Sequence, residues 1–188
     1  NGGGLLREAV NIVNLFVPKG QEVVSMKGKT PEWNNNYSTQ NKALLPEIPL
    51  AILIDNKSAS ASEIVAGTLQ DLDRAIIVGQ ESFGKGLVQQ TKKLAYGSRI
   101  KITVAKYYTA SGRCVQRLHY GDRDDLGDAT IQEDSTLQTF YTKNGRPVIE
   151  GRGVIPDIDI ETIKLNYVIN GILNSGIIFD FAIYQPKD

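Results

Sequence analysis

The chain has 188 residues, enough for one domain with a sizeable core, and 41% of them are apolar, an ordinary share for a globular protein. Lys and Arg number 21 and Asp and Glu also 21, so the net charge is zero and nothing points to nucleic acid or an anionic membrane as partner. No apolar run reaches the 18 or so residues that a membrane span needs, and no secretory signal is visible. The chain opens at Asn1 without Met and reads as a piece of a longer protein, so the lack of a targeting segment says nothing of the parent. Cys114 is the only cysteine, which excludes an internal disulfide, and His119 is the only histidine. One Cys and one His do not suffice for a zinc site of the usual ligand types, and no cofactor or metal is expected. A Cys114–His119 nucleophile pair is weaker than the plain reading of a strand cysteine and a loop histidine.

In chain order, the glycine run at Gly2–Gly4 leads into apolar residues at Leu5, Leu6, Ala9, Val10, Ile12, Val13, Leu15 and Phe16, the spacing of a buried helical face, which Pro18 and Gly20 stop. "EVVSMKGK" predicts a short strand, and the Asn-rich "TPEWNNNYSTQNKALLPEI" a surface loop. "PLAILID" is continuously apolar, as in a strand covered on both faces. Ser62 and Glu63 lead into the helix "EIVAGTLQDL", with Ser62 as its better N-cap and Ser58 on the approach to the turn. "RAIIVG" is a second buried strand, "ESFGKG" a glycine-punctuated turn, and "LVQQTKKL" and "RIKITVAKYYT" are further strands. Residues 118–150 are polar and loop-rich, "GRGVIPDIDI" is a turn with a short strand, and 161–188 reads as a helical extension. The strand–helix–strand order predicts an α/β core with parallel elements, with residues 1–160 as the main unit.

Two stretches carry chemistry. "NKSASASEIVAG" (56–67) sets three serines between an apolar strand and a helix, and "GQESFGKGLVQ" (79–89) sets Lys85 between glycines. Each has a bland reading, an N-cap serine and a solvated turn lysine. Gly79–Lys85 also spells G-x-x-x-x-G-K, close to a phosphate-binding loop, which would make a nucleotide-binding module. Against this, Gly86 stands where that loop needs Ser or Thr to hold magnesium, and a β-branched, Gln-rich run follows where a helix is required. Together the stretches suggest a serine nucleophile with a lysine base. A hydroxyl needs a base, and the single His lies in a different kind of segment. Burial of Lys85 behind a strand and Phe83 would favour the neutral amine, because the charged form loses its hydration.

"NKSASASEIVAG", "GQESFGKGLVQ", "TVAKYYTASGR" and "GVIPDIDI" resemble, in that order, the C-terminal processing peptidases, also called tail-specific proteases, and "NGGGLLREAVNIVNLFVPKG" resembles the segment that precedes them there. The resemblance covers residues 1 to about 160. It implies a crotonase-like α/β catalytic domain and a serine endopeptidase that cuts near the C-termini of protein substrates. It makes Ser60 the nucleophile and Lys85, 25 positions on, the general base, with Gln89 holding the lysine amine. The resemblance places the oxyanion hole on the backbone N–H of Ala61 and of a glycine in "NGGG", here Gly3, since Gly2 stands where the family usually has Pro. Ala110 stands where it often has Pro, and 118–150 is longer than the usual link. The family also implies export to the periplasm or cell envelope and a preceding PDZ module, which nothing in these 188 residues resembles. A catalytically silent, peptide-binding relative is the alternative. Substrate, cleavage preference and oligomeric state are not legible.

Overall fold

The computed structural model describes residues 1–131, 137–161 and 166–184. Helix α1 (Leu6–Phe16) buries Ala9, Val10 and Val13, one stripe at helical spacing, against the rest of the core. Asn14 on the same helix is buried as well. Its side chain accepts the N–H groups of Gln40 and Asn41 at 3.1 and 2.8 Å and donates to the Asn41 carbonyl at 2.7 Å. One amide thus ties a long connection to α1.

Strand β1 (Glu22–Gly28) follows, then a 3₁₀ turn (Pro31–Trp33) and β2 (Asn35–Ser38), which pairs antiparallel with β1. The expectation of a loop through this Asn-rich stretch is therefore corrected. β2 is an edge strand held by backbone pairing, so its side chains carry none of the apolar alternation by which strands are recognised. Strands β5 (Leu87–Lys93) and β6 (Arg99–Thr109) complete an antiparallel sheet of order β2-β1-β6-β5.

The second sheet is parallel, of order β11-β4-β3, from β3 (Ala51–Ile54), β4 (Ile76–Gly79) and β11 (Ile158–Asp159). Helix α2 (Ala61–Asp71) is the crossover between β3 and β4, and its Ile64 and Leu69 join Ile77, Val23, Val24, Val115 and Val154 in the core between the elements. β3 is not covered on both faces as its apolar run suggested. Ile54 is buried but Leu53 is 79% exposed, because α2 packs on one side only.

Residues 118–150, expected to be loop-rich, contain two short hairpins, β7 (Leu118–Arg123) with β8 (Ala129–Ile131) and β9 (Thr139–Tyr141) with β10 (Pro147–Ile149). Three of these strands have only three residues, too few for periodicity to give a signal. Two exposed helices close the described chain, α3 (Tyr167–Asn174) and α4 (Ile177–Ile183).

The C-terminus of α2 is anchored by a buried ion pair. Arg113, fully buried, reaches Asp71 at 2.9 Å and donates to Gln70 Oε1 at 2.7 Å. Asp71 also accepts the Thr109 hydroxyl at 2.5 Å and the Ser111 N–H at 3.0 Å. The "SGR" turn thus inserts its arginine under α2 and pins the end of β6. Removing one member of such a pair leaves a buried charge without compensation. Arg113→Leu is therefore expected to lower unfolding stability by about 3–5 kcal/mol in a urea titration. Arg146→Leu removes pairs to Asp73 and Asp157 from a side chain 43% exposed and should cost about 1 kcal/mol or less. Equal losses would contradict this account.

Candidate active site

β3 and β4 are parallel and in register, Ile54 opposite Gly79, so the loops that leave their carboxyl ends lie side by side. This is where ligand and catalytic sites gather in α/β sheets. The loop after β3 delivers Ser60 and the loop after β4 delivers Lys85.

Ser60, not Ser62, is the N-cap of α2. Ser62 falls inside the first turn, where its N–H donates to the Ala59 carbonyl at 3.2 Å. The cap residue must leave helical geometry, and Ser60 does so with φ 59° and ψ −120°. That is a strained conformation for a residue with a β-carbon, worth about 1–3 kcal/mol, and it persists only where the surroundings enforce it. The N–H of Ala61, at the first helical position, has no intrahelical acceptor and is free to serve an anion.

The enforcing group is Glu63, almost wholly buried one turn into α2. One carboxylate oxygen accepts the N–H of Ser60 at 2.7 Å and of Lys85 at 2.8 Å. The other accepts the N–H of Gly84 at 2.7 Å and the Ser82 hydroxyl at 2.5 Å. Ser82 in turn accepts the N–H of Val154 at 2.7 Å. One side chain thus fixes the backbone of both loops. Tyr107, buried on β6, adds a second tie, its hydroxyl donating to the Lys85 carbonyl and to the Ser60 carbonyl, the latter at 3.1 Å. Burial, with the nearby Glu63 charge, keeps the phenol well above its ordinary pKa, so it remains a donor. The sequence reading placed neither Glu63 nor Tyr107 in the site. The spacing Ser60-x-x-Glu63 is a capping-box pattern and was the available signal. Tyr107 had none.

Gly84 makes the sharp approach to Lys85. Its φ is +86°, and a Cβ there would lie 2.5 Å from the Arg117 Cβ. Gly3 is pressed against the serine segment in the same way: with φ +87°, a Cβ would lie 2.5 Å from the Ala59 carbonyl oxygen and 2.8 Å from the Ala61 nitrogen. The Gly3 N–H, however, donates to Asn1 Oδ1 at 2.9 Å. Gly4, one residue on, lines the cavity that contains Ser60.

That cavity, about 400 Å³, brings together Ser60, Ala61, Lys85 and Gln89 with Leu6, Ile64 and Val88. Ser60 and Lys85 line it together without a direct hydrogen bond between their side chains. Lys85 is half-buried rather than enclosed, and Phe83, expected to shield it, is 47% exposed. The phosphate-loop reading fails on topology: the chain after Lys85 enters β5, so the loop does not open a helix as a phosphate-binding loop must. Burial pushes the Cys114 thiol up, away from the thiolate that a nucleophile requires. Among the described residues no group of three or more His, Cys, Asp or Glu stands together, and no helix is long and apolar enough to cross a membrane.

Burial also raises the Glu63 carboxyl above its ordinary value, against the pull of its four donors. A folded pKa above the unfolded one favours folding most at low pH, and this contribution falls as pH rises from the unfolded value through the folded one. Glu63→Gln has a single acceptor oxygen, and its amide opposes the remaining donors. It is expected to be destabilised by about 2–3 kcal/mol and to weaken the hold on both loops. The stability gap to wild type should narrow as pH rises from about 4 to about 8, measured by thermal melts of the two proteins side by side. A gap that widens with pH would show that the carboxylate is held below its ordinary pKa.

Comparison with known proteins agrees with this architecture. Residues 1–126 match the model of Peptidase family S41. A carboxy-terminal-processing protease of Bartonella bacilliformis is 44% identical over 116 residues, covering 62% of this chain and 26% of that protein. A probable CtpA-like serine protease of Staphylococcus aureus is 35% identical over 198 residues, covering 97% of this chain and 36% of the relative. Among solved structures, the photosystem II D1 C-terminal processing protease superposes with a TM-score of 0.61 at 27% identity, over 93% of this chain and 36% of that one. The chain thus spans about a quarter to a third of the length of these relatives. A mixed α/β fold shared with these structures, a family model matched over most of the chain and a close curated relative along nearly its whole length lead to one conclusion: this chain belongs to peptidase family S41.

Proposed function

We propose that this chain is the catalytic part of a serine endopeptidase that cleaves protein substrates near their C-termini, with Ser60 as nucleophile and Lys85 as general base. The observation that carries the reading is the convergence of Ser60, Lys85 and Gln89 on one cavity, with both loops clamped by Glu63. In this mechanism Ser60 Oγ attacks the scissile carbonyl carbon and its proton passes to a neutral Lys85 Nζ. The oxyanion is held by the free N–H of Ala61 and by a second N–H from the glycine segment. Gly3 is the sequence-based choice, and the cavity lining favours Gly4. Collapse expels the amine, protonated by Lys85, and leaves an acyl ester on Ser60, which water then hydrolyses. Gln89 holds the amine without adding charge. The strained backbone of Ser60 suits a nucleophile that must stand clear of its own helix. Relatives named as C-terminal processing proteases support a protein substrate cut near its end, and export to the cell envelope follows from the family resemblance alone.

The test uses the whole protein of which this chain is part. Ser60→Ala and Lys85→Ala should each lower peptide hydrolysis by about 10³-fold or more, and the double variant should lose little beyond either single one, because the two act as a unit. Lys85→Arg should be equally inactive, since a guanidinium does not give up its proton near neutral pH. Circular dichroism should show each variant folded. Full activity of Lys85→Ala would overturn the mechanism. Undiminished peptide binding with no turnover by wild type would favour the silent, peptide-binding alternative.

A further inference from the structure

Beyond the catalytic cavity, the hairpin of β5 and β6 carries a charge pattern that the fold does not use. Over residues 84–121 the chain has eight Lys and Arg and no Asp or Glu, although the whole chain is balanced. Residues 89–103 are exposed on both faces, so this part of the hairpin stands clear of the core as an arm. Register fixes its faces. Gln89 lies opposite Thr103, Thr91 opposite Lys101, and Lys93 opposite Arg99. Residues directly opposite share a face, so Lys93, Arg99 and Lys101 form one row with Gln89. Like charges placed opposite each other destabilise a ladder, yet Lys93 faces Arg99, and none of the three has an ion-pair partner among the described residues. Nothing in the packing requires this cost.

The row is continuous with the catalytic cavity. Gln89 and Lys101 both line that cavity, whose lining contains no acidic side chain. From Gln89 to Lys93 the strand runs about 13 Å, four residues of extended chain. Among the described residues β5 is also an edge of its sheet, with backbone groups open to an added strand. We propose that the arm is a docking surface for an acidic segment of the polypeptide substrate, lying a few residues from the bond that is cut. The proposal rests on the peptidase reading above and deepens it, naming the chemistry that recruits the substrate. The exposed Leu94 and Tyr96 at the arm's tip offer a rival occupant, an anionic lipid surface. The peptide is favoured because the basic row leads into the cavity that holds Ser60, whereas the apolar residues sit at the far end.

The experiment measures binding of labelled peptides to the whole protein carrying Ser60→Ala, by fluorescence anisotropy. Paired peptides differ only in a run of about four Glu or four Gln, placed on one side or the other of the scissile bond. At low salt the Glu peptide should bind about tenfold more tightly than its Gln partner when the run is on the side that meets the arm. The preference should fall to about twofold or less at roughly 0.5 M salt, and likewise in Lys93→Gln/Arg99→Gln/Lys101→Gln, whose fold is checked by circular dichroism. Equal affinities on both sides of the bond would overturn the proposal. So would a preference that survives the triple variant, or capture by phosphatidylglycerol vesicles with no peptide preference. Hydrolysis is scored separately with the wild-type protein: failure to cut either peptide overturns the peptidase reading and leaves the binding comparison to decide this one.

Discussion

The site depends on one buried carboxylate. Glu63 comes from α2 but does its work on two loops, taking two donors on each oxygen. A carboxylate removed from water costs several kcal/mol unless its lone pairs are filled, and here backbone N–H groups and one hydroxyl fill them. The arrangement is reciprocal. The N–H groups of Ser60, Gly84 and Lys85 lie in irregular backbone, where no ladder or helix would satisfy them. The charge and the loops need each other, and one side chain fixes the geometry of both.

Around that clamp, the backbone carries strain at chosen points. Ser60 holds a left-handed φ that glycine would adopt more cheaply. Gly84 and Gly3 also have positive φ, and each is pressed so close to a neighbour that a β-carbon would collide. A glycine lets two pieces of chain approach, while the serine, with the same sign of φ, keeps a side chain at the wall of the cavity. Tyr107 shows how the two sheets are joined to this end. It sits on the antiparallel sheet and bonds to carbonyls of the loops that leave the parallel one.

The same hairpin that supplies Tyr107 at its base extends outward with a different character. Near the core, β6 alternates buried and exposed residues through Ala105, Tyr107 and Thr109. Beyond the bulge near Gln89 the arm is exposed throughout and basic. The hairpin is thus anchored at one end by packing and free at the other. The buried Arg113–Asp71 pair anchors β6 at Thr109, the end away from the arm.

What the sequence determined by itself was local. Apolar spacing marked α1, α2 and the strands β1, β3, β4, β5 and β6, because burial of one stripe or run leaves a periodic trace. The motifs around Ser60 and Lys85 set the two loops at neighbouring strand ends, since a strand–helix–strand unit can close in few ways. β2 and the hairpins from β7 to β10 left no trace, being short and held by backbone pairing. Which serine caps α2 was decided by tertiary structure. The local reading favoured Ser62, against the capping-box spacing of Ser60 to Glu63, and the donors that Glu63 gathers from the second loop hold the turn at Ser60. The exposure of Leu53 and Phe83, and the half-burial of Lys85, likewise depend on what packs against them. Hydrophobicity says that a residue can be buried. Whether it is buried depends on residues far away in the chain, and no local pattern records their positions.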